Sequence, residues 1–135
     1  MSASRGAPRH LVGAGLITEA GECLELRWEL DPGEADGSTL DLHCGPAGEF
    51  TRIGLDHRRG RVWLDGGGEQ HWAGARGALV LRVIVSPASV DVASGDGQVV
   101  LGARLDPVAA GQGVAVLKQG SGDWVRSVLT VWPLA

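Results

Sequence analysis

Alternation of apolar and polar residues with a period of two is the dominant pattern along the chain. It is clearest in "CLELRWEL", where the apolar positions Leu24, Leu26, Trp28 and Leu30 alternate with charged residues. "TLDLHC", residues 39–44, repeats the pattern. Because successive side chains of a strand point to opposite faces of the sheet, both segments are predicted to be strands with one buried face.

The remaining apolar runs are short and are separated by turn-forming sequences. They are "FTRIGLD", "RVWLD", "ALVLRVIV", "SVDVA", "QVVLGARL", "GVAVL" and "WVRSVLTVW". "ALVLRVIV" is apolar on both faces apart from Arg82, which predicts a central strand under a second layer. "DPGEADG", "HRRG" and "SGDG" supply turns, and "GGGEQHWAGARG" is predicted to be a loop. Only "RLDPVAAGQG" has room for a helical turn.

Short strands at regular spacing predict an all-β fold, an antiparallel two-sheet β-sandwich of about nine to ten strands. The strand order expected is that of a concanavalin-like jelly roll. The chain has 135 residues, which is the size of one domain. We expect residues 1–15 to be a loosely ordered N-terminal segment and residues 16–135 to form a single sandwich.

Composition excludes several functional classes. The net charge is −4, and the only basic cluster is "HRRGR", so the chain lacks the positive stripe of a nucleic-acid-binding protein. No apolar run approaches the roughly 20 residues of a membrane span, so no membrane association is expected. The N-terminus lacks the apolar core of a signal peptide, so we expect a cytoplasmic protein or a piece of a larger one.

The potential metal ligands are sparse. The four histidines and two cysteines show no ligand spacing, so no metal site and no cofactor are expected. If "DPGEADG" closed a hairpin, Cys44 would share the face of Leu40 and Leu42, and Cys23 would point to the other face. Two free thiols are therefore predicted, unless a bulge shifts the register.

Aromatic and acidic side chains are the best candidates for a binding site. Saccharide-binding proteins stack flat aromatic rings on sugars and read the hydroxyl groups with polar side chains. Trp28 has the parity of core leucines, whereas Trp63 has the opposite parity and Trp72 lies in the glycine-rich stretch. Trp63 and Trp72 are thus candidates for contact with a ligand or with solvent. Asp65 and Asp91 are candidate carboxylates, with exposed surface positions as the alternative.

Three segments, in order, carry a resemblance to a known family. "RIGLDHRRGRVWLDGGG", "LRVIVSPASVDVASGDGQVVLGARLDP" and "GVAVLKQGSGDWVRSVLTVWPL" resemble the C-terminal β-sandwich domain of glycoside hydrolase family 32. The resemblance runs from about residue 22 to 134. This family of invertases, levanases and inulinases hydrolyses β-fructosides, with its catalytic acids in an N-terminal propeller that carries an N-D-P-N-G motif. The chain has no N-D-P-N-G, so the resemblance implies an accessory domain and not an enzyme.

The resemblance also implies fructan-binding positions in the sandwich. Asp91 falls on the family's glutamate in V-E-V-F, Asp65 on the aspartate of V-D-R, and Arg104 on the arginine of T-x-R-I-F-P. Ser86 stands in place of the aspartate of the family's V-D-R-S, and Pro87 stands in place of its arginine, so two charged groups are missing.

Two functions follow as hypotheses. The first is a non-catalytic accessory domain that supports or docks on a β-fructosidase propeller. The alternative is a stand-alone carbohydrate-binding module for fructose-containing glycans, with Trp63, Trp72, Asp65, Asp91 and Arg104 as candidate contacts. A small enzyme in its own right is disfavoured, because no acid pair or metal set is visible.

Overall fold

The computed structural model describes residues 5–105 and 111–134, and twelve strands run through them. They are β1 (Arg9–Val12), β2 (Gly15–Ile17), β3 (Leu24–Asp31), β4 (Gly37–Cys44), β5 (Thr51–Asp56), β6 (Arg61–Leu64), β7 (Gly68–His71), β8 (Leu79–Ser86), β9 (Ser89–Ser94), β10 (Val100–Arg104), β11 (Gly113–Gln119) and β12 (Arg126–Pro133). Residues 106–110, the middle of "RLDPVAAGQG" where a helical turn was allowed, lie outside the described residues.

Two antiparallel six-stranded sheets pack face to face, which confirms the predicted β-sandwich. The first sheet has the order β1-β12-β3-β8-β9-β10, and the second has the order β2-β11-β4-β5-β6-β7. Their inner faces form one core. Its largest fully buried side chains come from both sheets and include Trp28, Leu26, Leu81 and Leu129 of the first and Leu40, Leu42, Ile53 and Leu55 of the second.

The strands β3 and β4 do not form the hairpin that "DPGEADG" suggested. β3 pairs with β12 and β8, whereas β4 pairs with β11 and β5 in the other sheet. Their leucines still meet in the core, because each strand turns its apolar face inward from its own side of the sandwich. Alternation therefore identified the buried face correctly but did not identify the pairing partner.

Three short strands account for the excess over the expected number. β1 lies inside the segment expected to precede the sandwich, and it pairs with β12 from Arg9 to Val12. β2 pairs with β11. β7 forms within the predicted loop, where it pairs with β6 and is followed by a 3₁₀ helix, Ala73–Arg76. Backbone hydrogen bonds hold these edge strands, so they need no alternating side chains. The looser order expected for residues 1–15 stays a prediction.

The strand β8 is central in its sheet, as predicted, but only one of its faces is covered. Leu81, Val83 and Val85 are buried, whereas Arg82 and Ile84 are exposed on the outer face. The second sheet is the layer predicted over β8 and covers its inner face, whereas the described residues place no further layer over its outer face.

A bulge in β4 reverses the expected orientation of Cys44. His43 has a positive φ of 55°, and the pairing with β11 shifts register between Gly113 and Ala115. The His43 ring points inward, where Nε2 lies 2.8 Å from the carbonyl oxygen of Ser86. Cys44 is consequently only half-buried instead of joining the core leucines.

The two thiols are free in the structure and differ in environment. Cys23 is exposed, whereas burial and the nearby carboxylate of Asp41 raise the pKa of the Cys44 thiol to about 11. Since the thiolate is the nucleophile, we expect Cys44 to react with a maleimide at pH 7.5 about a hundredfold more slowly than an ordinary thiol. Mass spectrometry of timed samples, with Cys23→Ser to isolate Cys44, measures this rate. Equal rates for the two thiols would contradict the assignment.

Candidate functional site

A groove of about 480 Å³ lies on the outer face of the second sheet. We call it the outer groove and define it by the side chains of Asp36, Thr39, Arg52, Arg58, Trp63 and Gln119. The strands β11, β4, β5 and β6 lie side by side beneath it. Its volume is within the range of small-molecule sites, about 300–1,000 Å³.

Strand parity directs these side chains outward. On β6, Val62 and Leu64 are buried in the core, so Trp63 between them points to the outer face. On β5, Ile53 and Leu55 are buried, so Arg52 and Gly54 take the outer positions. The alternation that builds the core therefore also builds the groove.

Gly54 makes room for the Trp63 ring. The two residues are directly paired across β5 and β6. A Cβ atom on Gly54 would lie 1.9 Å from Cζ2 and 2.0 Å from Cε2 of the indole. The ring therefore lies flat on the backbone of β5, and a glycine in the strand is required for this close approach.

The indole N–H of Trp63 differs from those of three other tryptophans. The N–H groups of Trp28, Trp72 and Trp124 donate to Ser127, Asp96 and Ser38, respectively. Among residues 5–105 and 111–134, no group accepts a hydrogen bond from the Trp63 indole. Trp63 is half-buried, so this donor is accessible from the groove.

The guanidinium of Arg52 is held by the carboxylate of Asp41 on the neighbouring strand β4. Its Nε and Nη2 atoms donate to the two carboxylate oxygens of Asp41, at 2.8 and 3.0 Å. The Asp41 side chain is only 6% exposed, and its hydrogen bonds raise the pKa of the Arg52 guanidinium. The guanidinium also lies 4.6 Å from the centre of the Phe50 ring. The planar guanidinium has five N–H donors; two of them bind Asp41, and the other three have no acceptor among the described residues.

The rim of the groove carries two further ion pairs. Arg58 pairs with Asp36, and the Arg59 Nη1 atom lies 3.4 Å from the carboxylate of Asp56. A hydrogen bond from the Ser121 backbone N–H and the contact with Arg58 lower the pKa of the Asp36 carboxyl. Asp36 is therefore ionised at neutral pH and stays a hydrogen-bond acceptor.

The predicted candidates do not converge on one site. Trp63 lines the outer groove. Asp65 follows it at the end of β6, where one carboxylate oxygen accepts the Arg52 backbone N–H at 2.9 Å. Asp65 thus fixes the turn beside the groove and does not line it.

Asp91 and Arg104 lie on the outer face of the first sheet, across the core from Trp63. Asp91 pairs with Ile84 and Gly102, and Arg104 pairs with Ser89. Both side chains are exposed. A single groove that holds Trp63, Asp65 and Asp91 together, which the saccharide hypothesis favoured, is therefore not present in the described structure.

Trp72, a candidate for contact with a ligand or with solvent, is buried. It is 4% exposed, and its indole N–H donates to Asp96 at 2.9 Å. The 3₁₀ helix that follows it packs Ala75 into the core, which draws Trp72 inward. Trp72 borders a larger cavity of about 650 Å³, whose wall is mainly apolar and includes Leu30, Leu79 and Val125.

Five residues of the outer groove were not predicted from the sequence: Asp36, Thr39, Arg52, Arg58 and Gln119. They come from β4, β5, β11 and the neighbouring turns, and only the strand order brings them together. The available signal was Gly54, because an isolated glycine inside a strand indicates close approach of another group.

Residues 5–105 and 111–134 contain no group of three or more His, Cys, Asp or Glu side chains placed to hold a metal ion. No helix within them has the length and apolar character needed to cross a membrane.

No protein-family model and no curated protein matches the chain. Solved structures of an inulinase, a sucrose-6-phosphate hydrolase and a fructofuranosidase share its fold. An exo-inulinase from Aspergillus awamori matches 96% of this chain with a TM-score of 0.76 and 18% identity. A sucrose-6-phosphate hydrolase from Lactobacillus gasseri matches 97% with a TM-score of 0.73 and 17% identity. A fructofuranosidase from Schwanniomyces occidentalis matches 98% with a TM-score of 0.65 and 6% identity.

The chain spans only part of these enzymes, 29%, 28% and 34% of their respective lengths. The predicted resemblance to the sandwich domain of glycoside hydrolase family 32 is thereby confirmed at the level of the fold. At these identities the match concerns the fold alone.

Proposed function

We propose that the chain is a non-catalytic accessory β-sandwich that docks on, and supports, a fructoside-hydrolysing catalytic domain. The observation that carries the proposal is the asymmetry of the structural match. Nearly all of this chain, 96%, superposes on the exo-inulinase, but it accounts for only 29% of that enzyme. A domain of this fold therefore occurs beside a much longer remainder in enzymes of this class.

The sequence motifs favour a catalytic domain, and not this chain, as the site of fructoside hydrolysis. The family's catalytic acids belong to propeller motifs such as N-D-P-N-G, which this sequence does not contain. Asp65 and Asp91 lie on different sheets, with the core between them. Hydrolysis of a glycosidic bond by a carboxylate pair needs separations of about 5 to 9.5 Å, so these two acids do not supply one.

The proposal predicts assembly in trans. A catalytic domain with the N-D-P-N-G motif, encoded in the same genome and produced without a sandwich, should be stabilised when this chain is added. Binding to the folded state raises the melting temperature because it shifts the folding equilibrium. We expect a saturable increase of several degrees, measured by differential scanning calorimetry at increasing concentrations of the chain.

The chain alone is the control in this experiment. It should release no reducing sugar from sucrose, levan or inulin, and turnover that copurifies with it would contradict the accessory role. An unchanged melting temperature of the catalytic domain at a large excess of the chain would contradict docking.

A second candidate function is saccharide binding, and the outer groove is the observation that favours it. The groove combines a flat indole with guanidinium, carboxylate and amide groups on one face of the sandwich. Aromatic rings and convergent polar groups are the usual components of a site for hydroxylated ligands. In this role the chain would bind fructose-containing glycans as a module.

A further inference from the structure

The outer groove has the electrostatics of a site for an uncharged ligand. Each of its arginines already has a carboxylate partner: Arg52 pairs with Asp41, Arg58 with Asp36, and Arg59 with Asp56. An anionic ligand would have to displace one of these carboxylates or be held close to it. A neutral ligand with many hydroxyl groups can bond to guanidinium N–H groups and carboxylate oxygens at the same time, since a hydroxyl both donates and accepts.

The groove also has an aromatic platform that is fixed in place. The backbone at Gly54 of β5 supports one face of the Trp63 ring. Arg52 lies two residues before Gly54 on β5 and points to the same outer face. The free indole N–H adds a donor at the edge of this platform. The apolar face of a sugar ring packs on an indole, and the hydroxyls around the ring then meet the polar side chains.

The opposite side of the groove supplies polar groups from the neighbouring strands. Thr39 on β4 and Gln119 on β11 lie close enough for the Gln119 amide to approach the Thr39 hydroxyl at 3.4 Å. This contact is long for a hydrogen bond, so both groups retain capacity for a ligand. Gly37 pairs with Gln119 and has no side chain. It therefore leaves the floor of the groove open between the Thr39 and Gln119 side chains and the rim.

We propose that the outer groove is a binding subsite for an uncharged saccharide, with Trp63 as the stacking platform and Arg52, Asp36 and Gln119 as hydroxyl-binding groups. The proposal rests on the saccharide-binding function given above as the second candidate. It places that function on the second sheet and not at Asp91 and Arg104, the positions implied by family resemblance. It further selects neutral glycans over sugar phosphates.

Isothermal titration calorimetry with inulin-type fructo-oligosaccharides and with levan tests the assignment. We expect saturable heat from the unaltered chain. Trp63→Ala should weaken binding at least tenfold, and Gln119→Ala should weaken it several-fold, because each removes a ligand contact. Trp63→Phe keeps an aromatic face and should recover part of the affinity. Circular dichroism melts show whether each variant is folded.

Variants of the first sheet provide the matched control. Asp91→Ala and Arg104→Ala should bind within twofold of the unaltered chain. If they abolish the heat while Trp63→Ala does not, saccharide binding stands but its placement in the groove is overturned. If the unaltered chain gives no heat with either glycan, both the placement and the saccharide function are overturned. Tighter binding of fructose 6-phosphate than of the neutral glycans would overturn the selectivity.

The indole N–H signals give a second readout on the unaltered chain. Five tryptophans give five indole cross-peaks in a ¹⁵N-labelled sample, and Trp63→Phe identifies one of them. Addition of inulin-type oligosaccharides should shift the Trp63 peak, while the peaks of the hydrogen-bonded Trp28 and Trp72 stay in place. A Trp63 peak that does not move at a concentration where calorimetry shows saturation would overturn the placement.

Discussion

Replacement of Trp28 by alanine is expected to lower the free energy of unfolding by about 4 kcal/mol. Trp28 is fully buried on β3, between Leu129 of β12 and Leu81 of β8. Alanine would leave a large cavity in the middle of the sheet and would strip Ser127 of the indole donor that lies 3.0 Å from its hydroxyl. Urea denaturation followed by far-ultraviolet circular dichroism measures the change.

Two further variants separate the cavity from the hydrogen bond. Trp28→Phe removes the donor but keeps most of the ring volume, so it leaves a much smaller cavity and we expect a smaller loss, about 1–2 kcal/mol. Trp132→Ala removes a tryptophan that is only partly buried, where Arg5 stacks on the ring, and should cost about 1 kcal/mol. Equal losses for Trp28→Ala and Trp132→Ala would show that the core is not organised around Trp28.

Replacement of Arg52 by methionine is expected to lower the free energy of unfolding by about 3 kcal/mol. The change leaves the Asp41 carboxylate, which is almost fully buried on the outer side of β4, without its two charged hydrogen bonds. A buried charge that loses its partner retains the cost of leaving water and loses the compensating attraction. Chemical denaturation at pH 7 measures the loss.

The double variant Asp41→Asn with Arg52→Met identifies the cause. An amide carries no charge, so the double variant should recover about 1–2 kcal/mol relative to Arg52→Met alone. If the double variant is less stable than the single one, the loss comes from packing of the arginine stem and not from the stranded carboxylate.

Wherever alternation was regular, the sequence predicted which side chains of a strand face the core. β3 alternates buried and half-buried positions along its whole length, and Trp28 lies in the core as its parity requires. The outward orientation of Trp63 followed in the same way from the parity of Val62 and Leu64. This works because a strand has only two faces, and one of them must exclude water.

Local backbone geometry limits what alternation can predict. The positive φ of His43 inserts a bulge, and one residue out of register reverses the face of Cys44. The 3₁₀ helix after Trp72 turns an apparent loop residue into a core residue. Neither feature has a periodic signature, so alternation could not have predicted them.

The outer groove depends on long-range strand order. β11 lies next to β4, and Gln119 pairs with Gly37 although more than half of the chain separates them. Asp91 and Arg104 match family motifs, but they lie on the first sheet, away from the groove. The outer groove instead has its polar groups around Trp63. The sequence shows Gly54 as an isolated glycine inside a strand, but it does not show that Gly54 pairs with Trp63.

The match to only 29% of the exo-inulinase underlies our proposal that this chain docks on a catalytic domain. Sedimentation velocity tests it most directly, with the chain and the same-genome N-D-P-N-G catalytic domain mixed at equal concentrations of about ten micromolar, where a micromolar complex is largely formed. We expect a single faster boundary of one-to-one composition. Two boundaries that sediment independently at this and higher concentrations would contradict it.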